Sequence, residues 1–182
     1  MKIKLRSDVT IAPLTLEHAS NMYRWMCDPS VSRHVGLRSQ PTMDKTTAWI
    51  SHALQDPSIQ PYAVVLDGQH VGNVVLDRID TYLSSARLSV YIGQVTQRGM
   101  GMGRTAIYRG TQAGFQSLGL HKVWAIIHVH NWASINAFSS VGFTIEGVLR
   151  DEFWLDGQRV SVLYMSILED EFRQLDVREG LE

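Results

Sequence analysis

The chain holds a single cysteine among its 182 residues. Cys27 has no internal partner, which excludes a disulfide within the chain and a cysteine-rich zinc site. It closes the helical pattern Tyr23-Arg24-Trp25-Met26-Cys27-Asp28, and that place predicts a buried or half-buried structural thiol. Long apolar runs are missing too: no stretch approaches the roughly 18 residues a spanning helix needs. Lys2, Lys4 and Arg6 near the start are followed by no apolar core of a secretory signal. Clustered basic charge is also absent. With 17 basic and 18 acidic residues the formal net charge is -1, so nothing electrostatic argues for nucleic acid or an anionic membrane as partner. The histidines are scattered without paired-ligand spacing, so no metal is expected. What remains is the expectation of a cytosolic globular protein, 45% hydrophobic and of a length that suits one domain, 1–182.

Within that frame, the most informative stretch is Arg98-Gly99-Met100-Gly101-Met102-Gly103. It lies between a β-rich run, Leu88 to Ile92, and a helical pattern, Arg104 to Leu118. Alternate glycines let the backbone turn its N–H groups inward, because no Cβ blocks positive φ. The first turn of the helix adds unpaired N–H groups and the positive end of its dipole. Together they make a nest for phosphate or pyrophosphate. No Lys-Ser/Thr follows the glycines, so the loop is not of the Walker type.

The rest of the pattern predicts a mixed sheet. Lys2–Leu5 and Val9–Ile11 are short strand candidates. Thr15 caps a helix that carries Leu16, Ala19, Met22, Tyr23 and Met26 on one face and stops at Asp28-Pro29. Ser30 to Pro41 reads as an irregular loop, and Met43 to Leu54 as a second helix capped by Thr42 or Asp44. Asp67-Gly68 marks a hairpin, and Asp80 to Ser85 another leading into Ala86–Ile92. Past the glycine loop and its helix come a strand over Lys122–His130, a short helix over Ala133–Val141, and strands from Phe143 onward with a turn at Asp156-Gly157. A charged helix over Glu169–Arg178 ends the series. A hairpin meander followed by crossover helices gives a mixed α/β sheet.

A second cluster follows the glycine loop: His128-Val129-His130-Asn131-Trp132-Ala133-Ser134, with Gly142-Phe143 after the short helix. Asn131 sits at a strand-to-helix passage, where its amide either caps the helix or holds an amide-bearing ligand. Ser134, one turn in, points back toward the same end.

Taken together the two clusters resemble the GNAT superfamily of N-acetyltransferases. The phosphate loop matches its Gln/Arg-x-x-Gly-x-Gly/Ala pattern at Arg98, Gly101 and Gly103, and the later motif matches at Asn131 and Gly142-Phe143. Glu146-Gly147-Val148-Leu149-Arg150, Asp156-Gly157, Leu163-Tyr164-Met165 and Trp25-x-x-Asp28-Pro29 are similar to the branch of ribosomal-protein N-terminal, spermidine and nucleotide-amino-sugar acetyltransferases. The resemblance implies a mostly antiparallel sheet with helices on its faces and a V-shaped splay between two parallel strands, Leu88–Ile92 and Lys122–His130. Acetyl-CoA, the implied co-substrate, lies in that splay. Its pyrophosphate takes N–H groups from Arg98, Gly99, Met100, Gly101, Met102 and Gly103, with Arg104 beside them. Its pantetheine pairs with the main chain near Tyr91 and Ile92, and Asn131 bonds the same arm. The implied acceptor is a small-molecule amine or a protein N-terminus, and the protein is a monomer or homodimer.

Amine acetylation needs a way for a proton to leave the amine, a donor for the oxyanion and relief for the thiolate. The tyrosine that many members place before Gly-Phe is Phe138 here, which cannot donate a proton. Ser134, a residue that members of the branch place near the sulfur, is the substitute that the resemblance implies. Glu152, after Leu149-Arg150, is the candidate base, with Asp151 expected on the opposite face. The stretch Ala86-Arg87-Leu88-Ser89 offers no acid where many members place a glutamate. His34, in the variable loop, is the candidate substrate contact. His128 and His130 are expected to share one strand face. A domain that binds acyl-CoA without catalysis is the alternative.

Overall fold

A computed structural model of the chain describes residues 2–37, 39–94, 96 and 99–180. Along the chain run β1 (Lys2–Arg6), β2 (Val9–Pro13), a 3₁₀ turn (Leu16–His18), α1 (Ala19–Met26), α2 (Pro29–Val35) and α3 (Met43–Ala53). The meander β3 (Gln60–Leu66), β4 (Gln69–Asp80) and β5 (Ser85–Ile92) follows. Then come α4 (Met102–Leu118), β6 (Lys122–His128), α5 (Trp132–Ser139), β7 (Thr144–Leu155), β8 (Gln158–Leu168), α6 (Glu169–Arg173) and β9 (Asp176–Gly180). The main sheet has the order β2-β3-β4-β5-β6-β8-β7 and is antiparallel except at β5–β6. The expected mixed, mostly antiparallel sheet with a parallel pair is what the chain forms.

Local chemistry explains the elements. The turn at Asp67-Gly68 has φ of 48° and 76°, the left-handed pair that a two-residue hairpin needs. Thr42 accepts the N–H of Lys45 at 3.2 Å and so starts α3. Buried residues of α4 fall on one face, Met102, Thr105, Ala106, Ile107, Gly110, Thr111, Gly114 and Phe115, as a 3.6 period requires. That face packs on Val74, Leu76, Ala86 and Leu88 of the sheet. The other face of the sheet is covered by a separate cluster of Leu14, Ala19, Met22, Ile50 and Ala63. The sheet is therefore sandwiched, and each buried large side chain contributes on the order of 2 kcal/mol.

Six expectations change. The segment after Asp28 is not a loop: Pro29 opens α2 and the Asp28 carboxylate accepts the Ser30 N–H at 2.8 Å. The same dipeptide that stops α1 starts a new helix, since proline suits the first helical turn. Cys27 is exposed rather than buried, because it is the C-cap of α1, while the neighbouring Trp25 and Met26 turn inward. The tail is helical only to Arg173; Asp176–Gly180 then pairs in parallel with β1. His130 lies in a turn beyond the end of β6, so it does not share a strand face with His128. The β7–β8 hairpin is longer than expected and carries two register shifts, between Ile145 and Gly147 and between Leu149 and Phe153. Asp151 sits at the second with φ of 52°, so strict alternation fails around Glu152.

Candidate active site

Gly101 is the N-cap of α4, at φ 74° and ψ -3°, and Gly99 has φ 81°. A residue with a Cβ is strained at such angles. The loop is tied down from behind. Thr105 is fully buried; its Oγ1 donates to the Gly101 carbonyl at 3.2 Å and accepts the Arg6 backbone N–H at 3.1 Å. The Arg6 guanidinium donates to the Met100 carbonyl at 3.4 Å and to both Asp8 oxygens at 3.0 and 2.6 Å. Hydrogen bonding to Arg6 holds the Asp8 carboxyl below its ordinary value. Strand β1 thus braces the loop, a role that nothing in the local sequence around Arg6 announces.

A cavity of about 660 Å³ opens beside the loop. Gly99, Gly101, Gly103, Arg104, Tyr91, Ile92, Asn131 and Ser134 all line it. Those are the residues expected to hold the cofactor, brought together from three separate stretches. Met102 is absent from the wall because its side chain is in the core, 1% exposed; Met100, 45% exposed, is also off it. Only the backbone of those two is on offer. Arg98 lies outside the described residues.

The cavity leads into the gap between β5 and β6. These strands pair only at Ser85↔Lys122, Ala86↔Val123 and Arg87↔Trp124, then diverge. The expected splay is therefore present, with its apex at Arg87. A slot of about 130 Å³ fills it, walled by Leu88, Val90, Ile127, Asn131, Ser134 and Phe138, among others. Asn131 Oδ1 accepts the Ser134 N–H at 3.2 Å, so capping and ligand binding are not rivals: the cap uses the oxygen and leaves the NH₂ to donate. Phe138 is buried, edge-on to Phe143 at 4.9 Å, and fills the tyrosine position with a packing residue. His128 is buried against the Phe153 ring, 4.8 Å between centroids, and faces the slot.

On the far side of β5 lies a second cavity of about 440 Å³, and it meets the slot at Val35, Arg87, Ser89 and Val90. Its floor is the opposed pairs Asp77↔Arg87 and Val75↔Ser89 of β4 and β5 together with Tyr91, whose opposed partner Asn73 is fully buried beneath it. Arg87 grips Asp77 with two bonds of 2.7 and 2.6 Å. The Tyr91 hydroxyl donates to Asn73 Oδ1 at 2.8 Å, and Asn73 Nδ2 donates to the Tyr62 carbonyl at 3.1 Å. Burial pushes the Tyr91 phenol well above its ordinary value, so it stays protonated. Met22, Met26, Leu37 and Trp49 form the walls. Behind this floor Trp25 stands against Tyr91, at 6.1 Å, and against His70, at 4.7 Å. A Cβ on Gly93 would come within 1.9 Å of the Trp25 ring, so only glycine lets the strand pass there.

Glu152 lines none of these cavities; its neighbour Phe153 does. The backbone of His34 lies in α2, one residue before Val35 of the meeting point, and its side chain falls outside the description. Asp77, Arg87 and Asn73 were not expected as site residues. Among the described residues no group of acidic, histidine and cysteine side chains is arranged to hold a metal, and no helix is long and apolar enough to cross a membrane.

A glycine-built anion nest, a splayed parallel pair and a second cavity across the strand define an acyl-CoA-type transferase fold. The model of the Acetyltransferase (GNAT) domain matches residues 8–144, and the chain belongs to this family of N-acetyltransferases. Spermidine N(1)-acetyltransferase of Escherichia coli (strain K12) is 29% identical over 164 residues, covering 90% of this chain and 88% of that protein. Among solved structures, a spermidine N-acetyltransferase from Vibrio cholerae in complex with CoA and spermine superposes with a TM-score of 0.87 at 22% identity, over 93% of this chain and all of that one, 100%. Mycobacterium smegmatis RimJ in complex with CoA-disulfide gives 0.84 at 20% identity, over 92% and 85%.

Proposed function

We infer that the chain, as a single domain in the cytosol, moves the acetyl group of acetyl-CoA to a primary amine by direct attack in a ternary complex. The observation that carries this is the meeting of two cavities through the splay at Arg87, Ser89 and Val90. A thioester entering from the cofactor side and an amine entering from the other side come together there, and holding them in line supplies much of the rate. Similar proteins whose solved structures contain CoA support the donor.

Each part of the site has a task. The N–H groups of Gly99 to Gly103 and the N-terminus of α4 take the pyrophosphate, with Arg98 and Arg104 adding positive charge. The β5 edge at Tyr91 and Ile92 receives the pantetheine amides as an added strand, and the Asn131 NH₂ donates to the same arm. A main-chain N–H of β5 past the apex stabilises the oxyanion. Ser134, which lines both the cofactor cavity and the slot, gives its hydroxyl to the departing thiolate. The proton leaves the amine toward the acceptor cavity. Water carries it away, since Asp77, the carboxylate among the described lining residues, is already held by both Arg87 bonds; Glu152 lines none of the cavities.

The test is free-thiol release from acetyl-CoA with a panel of primary amines, together with the intact mass of the protein after incubation with acetyl-CoA alone. Thiol release with some amine and an unmodified protein mass are expected. Cofactor binding without thiol release for any amine would overturn transfer, and an acetylated protein formed without amine would overturn direct attack.

A further inference from the structure

The acceptor cavity carries a charge pattern that restricts its amine. Asp77 is the carboxylate on its floor, and the two bonds from Arg87 at 2.7 and 2.6 Å neutralise it. At the mouth stands Lys45, whose ammonium donates to Ser39 Oγ at 3.1 Å and the Gln40 carbonyl at 3.0 Å, both uncharged partners. The N-terminal end of α3, at Thr42 and Met43, adjoins the same mouth and adds its positive partial charge. Asp44, the acid of that first turn, is exposed and is not among the cavity's lining residues. The lining formal charges thus sum to a positive value. The walls between floor and mouth are Met22, Met26, Leu37 and Trp49.

We propose that the acceptor is a primary amine carried on an uncharged, apolar body, and that this chain rejects polyamines; this rests on the transferase reading above. A polyamine that has given up one proton to become a nucleophile still carries further ammonium groups. Here they would meet no unpaired carboxylate among the described lining residues and would lie near Lys45. Desolvating an unpaired ammonium against methionine and apolar ring edges is strongly unfavourable. An aromatic or branched aliphatic body instead gains by burying its apolar surface there. A cavity of about 440 Å³ is large enough for a body of that kind. The cavity also runs on past Leu37, Gln40 and Pro41 into an open groove toward Trp154, so the apolar body can be a free small amine or the first residue of a peptide.

The experiment compares kcat/KM for 2-phenylethylamine, a short uncharged peptide beginning with Phe, and spermidine, by thiol release, in wild type and Lys45→Glu. In wild type either apolar amine is expected to exceed spermidine by about tenfold or more at low salt, with the gap narrowing as salt screens the repulsion. Preference for the free amine or for the peptide distinguishes the two sources of the same chemistry. Lys45→Glu is expected to raise spermidine turnover severalfold relative to 2-phenylethylamine, with acetyl-CoA affinity unchanged. Spermidine equal to or better than both apolar amines in wild type overturns the proposal, as does a ratio that Lys45→Glu leaves unmoved. Absence of thiol release from every amine instead overturns the transferase reading, and this proposal falls with it.

Discussion

The two sides of β5 are built by different means. On the side proposed for the cofactor the groups are mostly backbone: N–H groups of the loop at Gly99 to Gly103, the start of α4 and the open edge of β5. They come in compact blocks, each of which is one motif. On the acceptor side the groups are side chains from α1, α2, α3, β4 and β5, and no block of sequence holds more than a few of them. A shape made of backbone tolerates change in the side chains around it, provided the glycines stay. A shape made of side chains changes its preference with single substitutions. The half proposed for the cofactor is therefore expected to withstand side-chain change, and the half proposed for the acceptor to respond to it.

The largest effect that would break this contrast is expected at Gly101. Gly101→Trp fills the nest and forces a bulky residue to φ 74°, and acetyl-CoA affinity should fall by about a hundredfold or more by calorimetry. Unchanged affinity would mean that the loop is not the phosphate seat. Next is the floor of the acceptor cavity. Asn73→Leu leaves the buried Tyr91 hydroxyl and the Tyr62 carbonyl without their partners, and should cost about 2 kcal/mol in denaturant unfolding with little change in acetyl-CoA affinity. An equal loss of cofactor affinity would show that the two sides are not separable. Ser134→Ala should lower kcat by about tenfold while acetyl-CoA affinity stays within about twofold, if its hydroxyl serves the thiolate. Wild-type kcat would remove it from the mechanism.

A separate effect is expected in pH dependence. Burial first, and the adjacent His18 second, push His70 down to about 4. A histidine with a depressed folded value favours the neutral form in the fold. Its contribution is fully present above the ordinary value of about 6.5 and is lost as pH falls from there toward 4. Wild type should lose stability over that window, and His70→Gln should lose less; parallel curves would show that His70 is not the group responsible.

How much of this was legible beforehand follows from where the information resides. The loop, the cap at Asn131 and the αL stop at Gly119, with φ of 63°, are local, and their residue types state their conformations. The pair Asp77–Arg87 is not. Counting back from Asp80↔Ser85 at constant register sets Asp77 opposite Leu88, on the wrong face. A bulge between Asp77 and Asp80, with Arg78 at φ 52°, moves the register by one and brings Arg87 opposite instead. Glu152 fails for a related reason, since the irregularity at Asp151 breaks the alternation on which its facing was judged. In the sequence Arg6 is one of three basic residues near the start, yet its buried backbone and guanidinium brace the glycine loop some hundred residues on.

The sequence by itself determined the family, the order of its main elements and the anion nest, because those depend on φ preferences, caps and hydrophobic period over a few neighbouring residues. Tertiary structure alone decided where β5 and β6 part and which carboxylate stands on the acceptor floor. It also decided that this carboxylate is spoken for by an arginine and that β9 closes on β1. Those are outcomes of register and of packing between distant segments, and a one-residue shift, invisible in composition or pattern, is enough to change which side chains meet.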